Sequence, residues 1–187
     1  MKCKLLMSFI LISSIFHLQA KAKIENNTNE LHNKTAEIDI SLSFFNKKKA
    51  NIHLRIPSQQ AYGFEGKSTN PEQEEKVNRV IDQFKSDISN IILLGENCTY
   101  EVGGIEKFAN ASESSYQYKK GETKKMKTDY FVFESDIHIT CNRDLKNEKI
   151  GLNFEKSFKD ISRISIRLNA THKRNFVINN SNGSFNF

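Results

Sequence analysis

Glu134, Asp136 and His138 occupy alternate positions of the segment F-E-S-D-I-H-I-T-C, which runs from Phe133 to Cys141. Carboxylates and imidazoles are zinc ligands, with oxygen or nitrogen about 2.0–2.2 Å from the ion. On a strand, residues two apart project from one face, roughly 6.5–7 Å from each other. A row of three such groups can meet on one ion only by leaning together, with a further ligand from a neighbouring strand. His53, on an earlier alternating segment, is the candidate for that role. The same row also fits an ordinary solvated strand face, and both readings stand at this level.

Other chemistry leaves no trace in the sequence. There is no nucleophile elbow, phosphate-cradling glycine loop, H-E-x-x-H or EF-hand loop. His32, His53, His138 and His172 share no short metal-ligand spacing with one another. The chain is therefore expected not to be an enzyme. The formal charge is +6, and three of those charges are Lys2, Lys4 and Lys21. A basic excess this modest, without basic residues interleaved with aromatics, does not suggest a nucleic-acid binder.

The elements that must position these side chains are legible as alternation. Ala36, Ile38, Ile40, Leu42 and Phe44 alternate with Glu37, Asp39, Ser41 and Ser43. After a polar turn, Ala50, Ile52, Leu54 and Ile56 alternate with Asn51, His53 and Arg55 up to Pro57. Period two with one apolar face predicts an antiparallel hairpin. In the Phe133 segment, Phe133, Ile137, Ile139 and Cys141 point to the core, opposite the candidate ligands. Ile150, Leu152 and Phe154, then Ile164, Ile166 and Leu168, then Phe176 and Ile178 mark further strands.

One amphipathic helix is predicted. Asn70 is a good N-cap, Pro71 suits the first helical position, and Gln73 completes a capping box. Val77, Val80, Ile81, Phe84, Ile88 and Ile91 form its apolar stripe, and Gly95 is expected to end it. Residues 106–128 read as a flexible loop and 179–187 as a frayed tail. The expected fold is a single α+β domain over residues 36–178, with an antiparallel sheet of about seven strands and one main helix.

The first 22 residues read as a secretory signal peptide: Lys2 and Lys4, an apolar run from Leu5 to Phe16, then Ala20-Lys21-Ala22. That run is shorter than the ~20 residues of a membrane span. Residues 23–35 read as a disordered lead-in. Removing the leader leaves the charge at +3 and two cysteines, Cys98 and Cys141. In an exported chain such a pair is expected to form a disulfide. Two buried thiols are the alternative if the leader reading fails.

The anchors A-E-I-D-I (36–40), I-P-S-Q-Q-A-Y-G-F-E (56–65), the Asn70–Ile91 helix, Cys98, the Phe133–Cys141 strand, Phe154, Phe158 and I-S-R-I-S-I (161–166) follow a known order. In that order and spacing the chain resembles the ZrgA-like periplasmic proteins linked to zinc uptake. The resemblance implies an exported, periplasmic, zinc-binding accessory, with a metal-uptake transporter or another envelope protein as partner. Most of the family's histidines are replaced: their positions fall on Leu31, Asn33, Gly66, Tyr130 and Glu134, and the glycine of its opening H-x-H-G-x-A falls on Lys34. The segment matching its His- and Asp-rich loop, 106–128, has a net charge of +3 here. Zinc affinity is thus expected to be weakened or lost. If a site remains, Glu134 and His138 are its first candidates, with Glu65 and His53 as further ligands. An envelope interaction module with no metal role is the competing expectation.

Overall fold

The computed structural model describes residues 35–43, 45–119 and 122–187, with the backbone alone described over 113–119 and 122–128. The expected leader and most of the lead-in lie outside these residues, as does Phe44. The elements in chain order are β1 (Thr35–Leu42), β2 (Lys49–Pro57), α1 (Ser58–Tyr62), α2 (Pro71–Ile91), β3 (Ile92–Leu93), β4 (Cys98–Lys119), β5 (Glu122–Cys141), β6 (Lys149–Asn153), β7 (Arg163–Asn169), β8 (Lys173–Ile178) and β9 (Asn182–Asn186).

β1 and β2 form the expected antiparallel hairpin, with Ile38 opposite Leu54 and Ile40 opposite Ile52. The hairpin is the centre of a six-stranded sheet ordered β4-β5-β2-β1-β7-β8. Four of its junctions are antiparallel, and β1 with β7 is parallel. The parallel junction joins strands far apart in sequence through the whole α2–β6 excursion, so no local turn signal announces it. A second sheet, β3-β6-β9, has three strands. The α+β class holds, with nine strands among the described residues rather than about seven.

The inner face of the large sheet is the core. Ile38, Ile40, Ile52, Leu54, Ile56, Phe133, Ile137, Ile139, Ile164, Ile166 and Leu168 are all buried. The apolar stripe of α2 lies on it through Phe84, whose ring meets Phe133 edge-on at 5.1 Å between centroids. Tyr62 and Phe158 complete an aromatic cluster around Phe133. Asn70 caps α2 by accepting from the Gln73 N–H at 2.9 Å. The reciprocal arm of the box lands one residue early: Gln73 Oε1 accepts from the Thr69 N–H at 2.7 Å. Gly95 does not end the helix. The chain turns extended at Ile92, whose N–H still bonds the Ile88 carbonyl, because Ile92 and Leu93 are drawn into pairing with β6.

Two segments differ from expectation. Residues 106–119 and 122–128 are not a loop but the distal part of β4 and β5, in continuous register from Ala109–Val132 to Lys119–Glu122. Their composition lacks apolar alternation, and the β2–β5 pairing stops at Val132, short of this segment. The 179–187 segment is not frayed: Asn182–Asn186 pairs with β6, and Phe185 meets Phe176 edge-on at 4.9 Å. At the near end of the β4–β5 pair Cys98 and Cys141 face each other in register and are joined by a disulfide, as expected. No helix among the described residues is long and apolar enough to cross a membrane.

Candidate functional site

Alternation on four strands sends the polar residues to the outer face, and the register lines them up in rows across the sheet. One row runs Ser165 (β7), Glu37 (β1), Arg55 (β2), Glu134 (β5). The next runs Arg167, Asp39, His53, Asp136, and the one after that Asn169, Ser41, Asn51, His138. Directly opposed side chains on one face are the natural interacting pairs of a sheet. Here almost every candidate ligand has found such a partner.

Glu134 accepts from Arg55 Nε at 2.7 Å and is only 18% exposed. Arg55 also reaches Glu37 at 3.5 Å. The hydrogen bond to Glu134 raises the Arg55 pKa above its usual value, against the opposing effect of burial. Withdrawing Glu134 to a metal would leave the half-buried guanidinium with only the longer contact to Glu37. In the adjoining row Arg167 grips Asp39 through both Nε and Nη2. That bond raises the Arg167 pKa in the same way.

The histidines are held differently. His53 Nδ1 lies 2.8 Å from Asp136 Oδ1. His138 Nδ1 lies 2.8 Å from Asn51 Oδ1. A carboxylate or an amide oxygen only accepts, so in each ring the proton is assigned to Nδ1 and the Nε2 lone pair is left available. Both rings line one outer-face groove of about 390 Å³, together with Asp136, Asn51, Asp39 and Arg167. Gly104 makes room for this arrangement. It has φ +56°, and a Cβ there would stand 2.6 Å from Asp136 Oδ2.

The structure therefore brings together two of the four predicted site residues, His53 and His138, around Asp136. Glu134 is on the same face but committed to Arg55. Glu65 is not on that face: it is exposed on the loop after α1, outside the strand register. Among the described residues, no three Asp, Glu, His or Cys side chains are placed to hold one ion. Arg55, Asn51 and Gly104 were not singled out from sequence. Arg55 and Asn51 show there only as polar members of an alternating strand, and the pairing that gives them their roles depends on the β2–β5 register. A Gly103-Gly104 pair inside a strand is the one available signal of close approach.

These features define a disulfide-tied α+β domain with an open sheet face carrying paired carboxylates and two oriented imidazoles. Residues 32–187 match the family described as ZrgA family zinc uptake protein, and the chain belongs to that family. Membership carries a role related to zinc uptake. Comparison with curated proteins gives no match.

Proposed function

We propose that this chain is an exported, periplasmic, non-catalytic accessory of zinc uptake that takes zinc weakly and passes it to an envelope partner such as a metal-uptake transporter. The family match over nearly the whole described region carries the uptake part of this reading. The weak affinity follows from the Arg55–Glu134 bond, which engages the strongest candidate carboxylate. A resident metal centre would need three or four protein ligands around the ion. A carrier that must release its cargo is better served by fewer.

The test combines metal analysis of the purified protein with growth of a deletion strain under zinc limitation. The expected result is micromolar or weaker zinc binding, together with slower growth that the intact gene restores. Tight stoichiometric zinc that Glu134→Ala abolishes, or growth indifferent to the deletion in limiting zinc, would overturn the proposal.

A second reading is favoured by the ribbon. Beyond Ala109 and Val132, β4 and β5 continue as a two-stranded extension, paired only to each other among the described residues. Such a ribbon is marginally stable alone in water and offers unpaired strand edges to another chain. Its sequence includes Lys119, Lys120, Lys124, Lys125 and Lys127. If the protein is an envelope interaction module with no metal role, replacing residues 111–130 with a short turn abolishes complementation. Under the zinc-carrier reading the outer-face histidines survive that change, and zinc binding stays as it was.

A further inference from the structure

We infer that His53 and His138 are a two-imidazole zinc-binding pair on the outer sheet face, oriented by Asp136 and Asn51, and that Glu134 is not a ligand. The inference rests on the zinc-uptake reading for the identity of the ion and on geometry for the site.

The cross-strand positions come first. His53 is opposite Asp136 and His138 is opposite Asn51, so the two histidines are diagonal neighbours on β2 and β5. Diagonal neighbours on one face stand about 7–8 Å apart, within reach of long and aromatic side chains. Both rings open on the same groove. Neither has to cross a strand to share an ion.

The hydrogen bonds come second. Metal-ligating histidines commonly donate the N–H of the non-ligating nitrogen to a carboxylate or a carbonyl-type oxygen. That bond fixes the tautomer, aims the ring and makes the ligating nitrogen more basic. Both rings here meet the condition: Asp136 Oδ1 and Asn51 Oδ1 each lie 2.8 Å from an Nδ1. Asp136 is itself confined, because its carboxylate sits against the bare Cα of Gly104. His53 thus has a braced anionic partner, and His138 a neutral one.

The charge around the groove comes third. Arg167 and Lys173 are the cations that line the groove, and Asp39 binds Arg167 through two bonds. Asp136 remains to offset the charge of an incoming Zn²⁺. Glu134 sits in a separate row, where Arg55 engages it. Two nitrogen ligands leave at least two of the four positions of a tetrahedral zinc to water or to a donor from the receiving protein. Such a site suits transfer.

The experiment is zinc chloride titration of the full exported chain by calorimetry, read beside nitrogen-15 imidazole spectra. Zinc is expected to move the Nε2 signals of His53 and His138 while the Nδ1 signals keep their protonated character. His53→Ala and His138→Ala should each weaken zinc at least tenfold. Asp136→Asn should weaken it by about 10-fold, in the lower part of the range for loss of an orienting partner. Glu134→Gln should leave affinity within about twofold, the pairing with Arg55 being outside the site. Gly104→Ala gives a second handle on Asp136, with circular dichroism as the check on folding. Zinc binding that survives the double histidine change, or that moves no imidazole signal, overturns the pair yet leaves the uptake proposal standing. Normal growth of the deletion strain in limiting zinc, with the imidazole shifts intact, overturns the uptake proposal and leaves the pair. A wild-type chain that binds no zinc overturns the pair outright.

Discussion

The two faces of β5 are built from alternate residues of one short segment, yet they obey different rules. On the inner face, Phe133, Ile137 and Ile139 are buried against many neighbours at once. Phe133 alone meets Tyr62, Phe84 and Phe158 within 6.4 Å between ring centroids. On the outer face, Glu134, Asp136 and His138 each answer to one side chain, on β2: Arg55, His53 and Asn51. Burial is non-directional and sums over area, so the inner face tolerates ignorance of who the neighbours are. Hydrogen bonds and ion pairs are directional and pairwise, so the outer face acquires meaning only through register.

The comparison breaks most visibly on the inner face. Phe133→Ala should cost about 3–5 kcal/mol in urea unfolding, through lost burial and a cavity in a close-packed cluster. A loss below about 1 kcal/mol would mean that the cluster can collapse around the gap. Replacing Cys98 and Cys141 together by Ala frees a loop of 43-residue separation. The chain-entropy estimate is about 4 kcal/mol, less whatever structure the unfolded chain retains. Free thiols titrated in the native protein would contradict the bond itself.

On the outer face the effects shrink and begin to depend on the partner. Arg55→Ala should destabilise by about 1–3 kcal/mol, because it leaves Glu134 largely buried without its donor. Arg167→Ala removes a more exposed pair and should cost under about 1 kcal/mol. Equal costs in a double-mutant comparison would show that burial does not separate the two rows. The smallest effect lies away from the sheet, at the start of α2. A hydrogen bond from Ser68, assisted by Lys107, lowers the Glu74 pKa below its ordinary value. That contribution is present above the ordinary carboxylate pKa and is lost as pH falls through the lowered one. Ser68→Ala should therefore lower thermal stability slightly near neutrality, and the difference from the unchanged chain should vanish as pH falls below the lowered Glu74 pKa. A difference that persists undiminished in acid would contradict the assignment.

Much of the frame was legible beforehand for a physical reason: local periodicity reports burial. The β1–β2 hairpin, the α2 stripe with its Asn70 cap, and the strands at 150–154 and 164–168 all announce which side is covered. Where the covering is absent or comes from afar, the signal fails. Among the described residues the distal β4–β5 ribbon has no further sheet neighbour to impose alternation, so it read as a loop. β9 packs through Phe185 on Phe176 and pairs with a strand some 30 residues earlier, so Gly, Ser and Asn made it look frayed.

The candidate site shows the same division. The notion that the polar face of β5 matters, and that His53 joins it from β2, came from alternation alone. Glu134, a first candidate beside His138, is engaged because Arg55 sits opposite it rather than opposite Asp136. One residue of register decides that, and a shift of one would also turn the apolar face outward. The core's need to bury Ile52, Leu54 and Ile56 against Phe133 and Ile137 is thus what hands Glu134 to Arg55 and leaves two imidazoles oriented over the groove.

The sequence by itself determined which residues face inward, where the main helix starts, which cysteines remain to pair and which family the order of anchors resembles. All of these follow from local chemistry: side-chain period, capping, and the spacing of a few fixed residues. Only the tertiary structure decided the strand order, the parallel β1–β7 junction, the partner of each outer-face charge and the placing of Gly104 behind Asp136. Those depend on contacts between residues tens of positions apart, which no local pattern encodes and which the packing of a shared core resolves all at once.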